Sequence, residues 1–322
     1  MLHRFAASVA ALTVLLVLAG SLVTSTDSGL AVPDWPTSYG WNLFTFPPSM
    51  WVGGILYEHG HRLIASTVGF LTIVLAAWLW MSDPRRWMKR LGVTALAVVI
   101  LQGLLGGLTV LFFLPAPVST AHAGLAEIFF CLTVAIALFT SPGWIRGDLR
   151  VDDATLRRVA TATTVLIYAQ ILIGATMRHT GAGLAIPDFP LMFGGILPDR
   201  WSGAIAIHFA HRLGAVVVTG AVLATAGRVA FAHAGRRELT RPATLLVALV
   251  AAQIVLGGLT VLTRRAVWIN SAHVVCGALV LAVSVVVTLR SWRVKWGPDM
   301  VWLTAASGDR RVPLQTEDGA RA

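Results

Sequence analysis

Tyr57-Glu58-His59-Gly60-His61-Arg62 stands near the start of a long apolar run, and Ile207-His208-Phe209-Ala210-His211-Arg212 stands near the start of another, 150 residues later. Carboxylates, imidazoles and guanidinium groups are costly to place in hydrocarbon, so each stretch has to be solvated or used. Around them the chain is apolar: 56% of its 322 residues are hydrophobic and 12% charged. A soluble domain carries about twice that charged fraction, and the mean hydropathy is +0.75. This excludes an ordinary soluble protein. The formal charge of +10 does not point to nucleic acid, because the basic residues sit in short loops between apolar runs and act as topology signals. Cys131 and Cys276 lie inside apolar runs, form no CxxC and fit apolar packing.

Eight runs are long enough for a bilayer core, at approximately 5–25, 51–81, 91–113, 119–140, 156–178, 203–230, 242–263 and 270–291. The first could pass for a signal peptide, but its apolar stretch has the length of a span, and the later repeat supplies an uncut counterpart. Arg85, Arg86, Lys89 and Arg90, then Arg146, Arg150, Arg157 and Arg158, then Arg236, Arg237 and Arg241, and finally Arg290, Arg293 and Lys295 all fall on one side. The positive-inside rule makes that side, with both termini, cytoplasmic. Arg200, Arg264 and Arg265 are exceptions on the outer side.

An internal duplication organises the chain. Gly29-Leu30-Ala31-Val32-Pro33-Asp34-Trp35-Pro36 returns as Gly183-Leu184-Ala185-Ile186-Pro187-Asp188-Phe189-Pro190. Gln102-Gly103-Leu104-Leu105-Gly106-Gly107-Leu108-Thr109-Val110-Leu111 returns as Gln253-Ile254-Val255-Leu256-Gly257-Gly258-Leu259-Thr260-Val261-Leu262. The expectation is an all-α integral membrane protein with eight transmembrane helices. They form two tandem, pseudo-symmetric four-helix bundles, residues 1–150 and 151–296, followed by a polar, disordered cytoplasmic tail at 297–322.

The duplication pairs His61 with His211 and His122 with His273, on spans two, four, six and eight. Each lies within about three turns of the outer end of its helix, so within each bundle two imidazoles share a depth and can face one another. An interhelical hydrogen bond is the plain reading of one membrane histidine. Two matched pairs favour ligation of a metal or haem by neutral imidazole. Zinc or di-iron would want further carboxylates or thiolates, which the second bundle lacks near His211 and His273. Haem needs two axial groups, an apolar cavity and small residues beside the ring, a need Gly106-Gly107 and Gly257-Gly258 could meet. Arg62 and Arg212 then suit haem propionates, or they snorkel to headgroups.

Glu58 and Glu127 are the acidic residues well inside spans. Glu58 shares a helical face with His61, and its counterpart is His208. The halves therefore differ beside the ligand, where a carboxylate can relay protons or stabilise a developing cation. Glu127 reads as a bundle-interior hydrogen bonder. His59 has no evident task, and His3, His179 and His233 read as solvated.

These residues resemble the haem A synthase family over roughly 5–292: the eight spans, the duplication, Glu58-x-x-His61-Arg62, His122, His211, His273 and the two Gly-Leu-x-x-Pro-Asp-Trp/Phe-Pro loops. The resemblance implies oxidation of the C8 methyl of haem O to a formyl group by two O2-dependent hydroxylations and loss of water, giving haem A for terminal oxidases. It implies haem B (haem iron) as cofactor on His211 and His273, with Arg212, and the substrate haem on His61 and His122, with Arg62. Glu58 matches the family's essential acid. It further implies a bacterial inner-membrane location with the haem sites toward the outer side, haem O and O2 as substrates, and membrane lipid as surroundings. The enzyme that makes haem O is the expected neighbour, while the electron donor and self-association stay open. Many members carry a cysteine pair in the first outer loop, but Thr26 to Met50 contain none here. Matched histidine pairs alone equally fit a di-haem cytochrome b-type quinol oxidoreductase, and parallel repeats fit a transporter. The Glu58/His208 difference favours an enzyme with two unlike sites.

Overall fold

The computed structural model describes residues 1–145 and 151–293; the expected polar tail, Lys295, Arg146 and Arg150 lie outside them. Eight long helices carry the described chain: α1 (Leu2–Ser25), α2 (Gly54–Ser82), α3 (Arg86–Leu111), α4 (Ala116–Phe139), α6 (Ala154–His179), α7 (Gly203–Ala232), α8 (Arg237–Leu262) and α9 (Val267–Ser291), with a single turn, α5 (Pro142–Ile145), between α4 and α6. All eight are long and apolar enough to cross a membrane. A helix is the form that lets such a segment satisfy its own backbone in lipid. The chain is a multi-pass membrane protein.

The helices begin where capping or charge allows. Asp153 caps α6 by accepting from the Leu156 N–H at 2.9 Å, and Ser202 caps α7 through Ile205 N–H at 3.2 Å. Two starts differ from the sequence reading: α3 opens at Arg86 and α8 at Arg237, each about five residues before the apolar run. Arginine and lysine are good helix formers whose stems lie along apolar surface, so the basic flanks continue the helix.

Helices α1, α2, α3 and α4 close a ring of neighbours (α1–α2, α2–α3, α3–α4, α1–α4), and α6, α7, α8 and α9 close a second in the same order. The rings meet through α1, α4, α6 and α9, and α4 and α9 are accordingly the most buried spans. At the end of α1 that meets the long loops, Arg178 of α6 donates to Ser21 O (3.0 Å) and Ser25 Oγ (2.9 Å). Asn270 and Ser271 of α9 reach the same Ser25 hydroxyl at 3.0 Å. In each ring, α2 lies diagonally across from α4 and α7 from α9, so side chains on these helices can meet over the ring's interior.

The connections at one end are short, and the other end carries the long segments 26–53 and 180–202. Both long segments make a tight turn, Tyr39-Gly40 (φ 52°, 77°) and Phe193-Gly194 (φ 56°, 81°), where the left-handed second position suits glycine.

Candidate functional site

The two long loops are held down in the same way. In the first, the Arg62 guanidinium donates to the carbonyls of Asp34 (2.7 Å), Thr37 (2.9 Å) and Val32 (2.8 Å) and to Glu58 Oε1 (2.6 Å). Glu58 Oε2 accepts from the Val32 N–H at 2.7 Å, and the residue is buried. In the second, Arg212 donates to Leu191 O (2.9 Å), Ile186 O (3.2 Å), Asp188 O (2.6 Å) and His208 Nε2 (3.2 Å). His208 Nδ1 lies 3.2 Å from Ile186 N; a neutral imidazole has one acceptor nitrogen, so it can accept from either Arg212 or Ile186, not both at once. Glu58 and His208 thus take equivalent places, one a carboxyl group and the other an imidazole.

The Pro-Asp-aromatic-Pro motif completes each lid. Asp34 accepts from the N–H groups of Tyr39 (2.7 Å) and Gly40 (2.8 Å) and from the Thr37 hydroxyl; Asp188 accepts from those of Phe193 and Gly194, each at 2.8 Å. Burial pushes the Asp34 carboxyl up, but the Gly40, Thr37 and Tyr39 bonds outweigh it and hold it below the usual value; the Gly194 N–H and then Phe193 do the same for Asp188. The aromatic plugs a glycine. A methyl on Gly107 would lie 2.6 Å from the Trp35 ring, and one on Gly258 2.7 Å from Phe189. His59 is fully buried under the first lid, with Nδ1 2.9 Å from Ser38 Oγ and its ring packed on Phe46 and Trp51.

Below the lids the four paired histidines repeat one arrangement. His61 of α2 and His122 of α4 lie on diagonal helices of the first ring, and His211 of α7 and His273 of α9 on diagonal helices of the second. Each ring edge rests on a glycine of the preceding helix. A methyl would come within 3.0 Å of Cε1 for Gly20 and His61, 3.0 Å for Gly106 and His122, 2.8 Å for Gly174 and His211, and 3.1 Å for Gly257 and His273. Glutamines flank three of them: Gln102 Nε2 lies 2.9 Å from His122 O and 3.3 Å from its Nε2. Gln170 Nε2 lies 2.7 Å from His211 O and 3.1 Å from its Nδ1, and Gln253 Nε2 3.4 Å from His273 Nε2.

Buried polar atoms are left over. Nδ1 of His61, His122 and His273 and Oε1 of all three glutamines lack a hydrogen-bond partner, a state that normally signals a missing ligand or water. Among the described residues no three His, Cys, Asp or Glu gather as a metal ion would need. Two opposed imidazoles with glycine beside each ring fit a metal whose other donors come with it, as in haem.

A model of the cytochrome oxidase assembly protein family, COX15-CtaA, matches residues 3–285. The chain belongs to this family. Among relatives of this COX15-CtaA protein, the heme A synthase of Symbiobacterium thermophilum is 33% identical over 260 residues, covering 77% of this chain and 82% of the relative. That of Shouchella clausii is 30% identical over 263 residues, covering 80% and 86%. That of Halalkalibacterium halodurans is 28% identical over 263 residues, covering 81% and 87%.

Several expectations for this COX15-CtaA chain change. Arg62 and Arg212, read as propionate ligands or snorkelling residues, hydrogen-bond here to loop carbonyls, a use the sequence reading did not include. His59 anchors a lid, having been given no task. His3 and His233, read as solvated, contact Ala137 O (3.0 Å) and Asp153 Oδ2 (2.9 Å). His179 closes α6, half-buried, instead of lying in a loop. Gly106 and Gly107 serve a histidine and a tryptophan of the protein itself. Glu127 is buried as expected, but its Oε2 has no partner. Arg265 pairs loosely with Asp27 at 3.9 Å, and Arg200 with Asp199 at 3.7 Å. The glutamines and Arg178 were not singled out in the sequence, although Gln-x-x-x-Gly recurs at Gln102, Gln170 and Gln253.

Proposed function

We propose that this chain is a haem A synthase, an oxidoreductase that converts the C8 methyl of haem O to the formyl group of haem A. The observation that carries the reading is the pair of alike histidine sites of which only one has a carboxyl group beside it: Glu58 stands one turn from His61, and His208 takes its place one turn from His211. Two sites of equal binding chemistry and unequal reactive chemistry suit one substrate and one cofactor.

In this reading His211 and His273 hold a resident haem B, and His61 and His122 hold the substrate haem. The haem B supplies one-electron redox chemistry. The chain's own residues do the rest. Lids 26–53 and 180–202 cover the histidine pairs and keep bulk water from them, and Arg62 and Arg212 fasten the lids rather than the propionates. Glu58 is fixed on both oxygens, by the Val32 N–H and the Arg62 guanidinium, one turn from His61. There it can stabilise positive charge developing at the methyl carbon or accept a proton from it. Haem O and O2 are consumed, and the long loops lie on the outer side of a bacterial cell membrane, opposite the arginine-rich short connections.

Glu58→Gln tests the assignment, because it keeps an acceptor for Val32 N–H and removes the charge. Purified Glu58→Gln should retain both haems while haem O or a hydroxylated form accumulates in cells and haem A disappears. Unchanged haem A content would defeat the role given to Glu58.

A further inference from the structure

Arg178 closes the stripe of α6 that faces the second histidine pair. Gln170 and Gly174 meet His211, and Arg178 follows Gly174 by one turn, about 6 Å nearer the long-loop end. Its guanidinium reaches across the seam between the rings, where Nη2 donates to Ser21 O at 3.0 Å and to Ser25 Oγ at 2.9 Å. The same Ser25 hydroxyl meets Asn270 Nδ2 and Ser271 Oγ of α9, each at 3.0 Å. Asn270 stands on the face of His273, one turn nearer the long-loop end. The guanidinium therefore lies about one turn beyond both histidines of the pair. Its Nε is buried and has no hydrogen-bond partner. No carboxylate answers it: among the described residues Arg178 forms no ion pair, and Asp27, just past the end of α1, pairs with Arg265 at 3.9 Å. A cation in such a place is costly unless an anion joins it.

The first bundle has no such group. The spacing that carries Gly29 to Gly183 and Gly20 to Gly174 carries Thr24 to Arg178, and the Thr24 hydroxyl turns back to Gly20 O at 3.1 Å. At the spacing of His122 and His273, Asn270 is likewise matched by Ser119. We propose that Arg178 seats a propionate of the haem held between His211 and His273, offering its free Nε while Nη2 stays on α1. A guanidinium is the side chain best suited to a carboxylate. The inference rests on the reading that this pair ligates haem, and it deepens that reading. The resident haem gains a charged hold at a place where the site of the substrate haem offers a threonine.

The test uses the full-length protein carrying H61A/H122A, so that only the second pair can take up haem. It is prepared without haem in detergent and titrated with haem B or with haem B dimethyl ester, in which both propionates are neutral. This parent should bind haem B more tightly than the ester. Arg178→Leu should weaken haem B binding about 10- to 100-fold and leave binding of the ester nearly unchanged. It should also lower the midpoint potential of the bound haem, because a cation beside it favours the reduced state. Arg178→Lys, which keeps the charge without the planar fork, should hold the potential and fall between in affinity. Arg178→Leu that binds haem B as tightly as the parent, or that weakens haem B and the ester alike, would overturn the proposal while leaving the enzyme reading intact. Should Arg178→Leu fail to assemble, Arg178→Gln, which can still donate to Ser25, carries the same comparison with the same outcomes. A parent that binds no haem B would instead sink the ligand reading of His211 and His273, and this inference with it.

Discussion

Replacing Arg62 by Leu removes four hydrogen bonds at once: three to carbonyls of the first lid and one to Glu58. The Arg62 and Glu58 side chains are 11% and 4% exposed, so solvent screens the pair little. Removing one partner of a buried ion pair costs about 3–5 kcal/mol, because the other charge is left without compensation. If that cost falls on closing the lid, its opening equilibrium shifts by roughly two to three and a half powers of ten. Amide hydrogen exchange of the haem-loaded protein in detergent reads this directly at Val32, Tyr39 and Gly40, which hydrogen-bond to Glu58 or Asp34. Arg62→Lys, which keeps the charge but not the planar fork, should fall in between. Protection of Val32 within about threefold of wild type in Arg62→Leu, well below that shift, would refute the clamp. The guanidinium would then be free for a propionate.

Gly107→Ala should destabilise by about 1–3 kcal/mol through overpacking, since its methyl would meet Trp35 at 2.6 Å. Gly103→Ala, on the same helix with nothing within 4 Å, should be neutral or slightly stabilising in the same thermal unfolding assay. The lids should loosen in acid. The Asp34 and Asp188 carboxyls are lowered in the folded protein, so their contribution is complete above the usual carboxylate value of about 4 and is lost as pH falls through the lowered folded value. Proteolysis within 26–53 and 180–202 should rise there, and Asp34→Asn should bring cleavage of the first lid to neutral pH; a pH-independent rate would contradict this. Asp153→Ala should destabilise the short-loop end, because it removes the α6 cap and the partners of Arg228 and His233 at 2.9 Å; an unchanged unfolding temperature would argue against it.

The spans were legible because lipid leaves a buried segment few choices: about twenty apolar residues form a helix or do not cross. The histidine pairs were legible for the same reason, since a titratable group inside such a segment is conspicuous. The partners of Arg62 and Arg212 were not. They are backbone carbonyls 21 to 30 residues away, brought back by loop turns that no periodicity encodes. His59 was passed over because its use depends on where Ser38, Phe46 and Trp51 fold. The glutamines were hidden differently: a single Gln in an apolar run looks ordinary until the helix beside it is known. Helix starts at Arg86 and Arg237 were missed because hydropathy marks where lipid begins, and helical backbone extends past it.

The central claim concerns a single change, methyl to formyl on a haem side chain. It is tested most directly by extracting the haems of a haem O-producing host with and without this chain and identifying them by mass. The account predicts haem A only when the chain is present, with haem O falling in step. Haem O unchanged and no haem A, from membranes that hold the folded, haem-loaded protein, would contradict it.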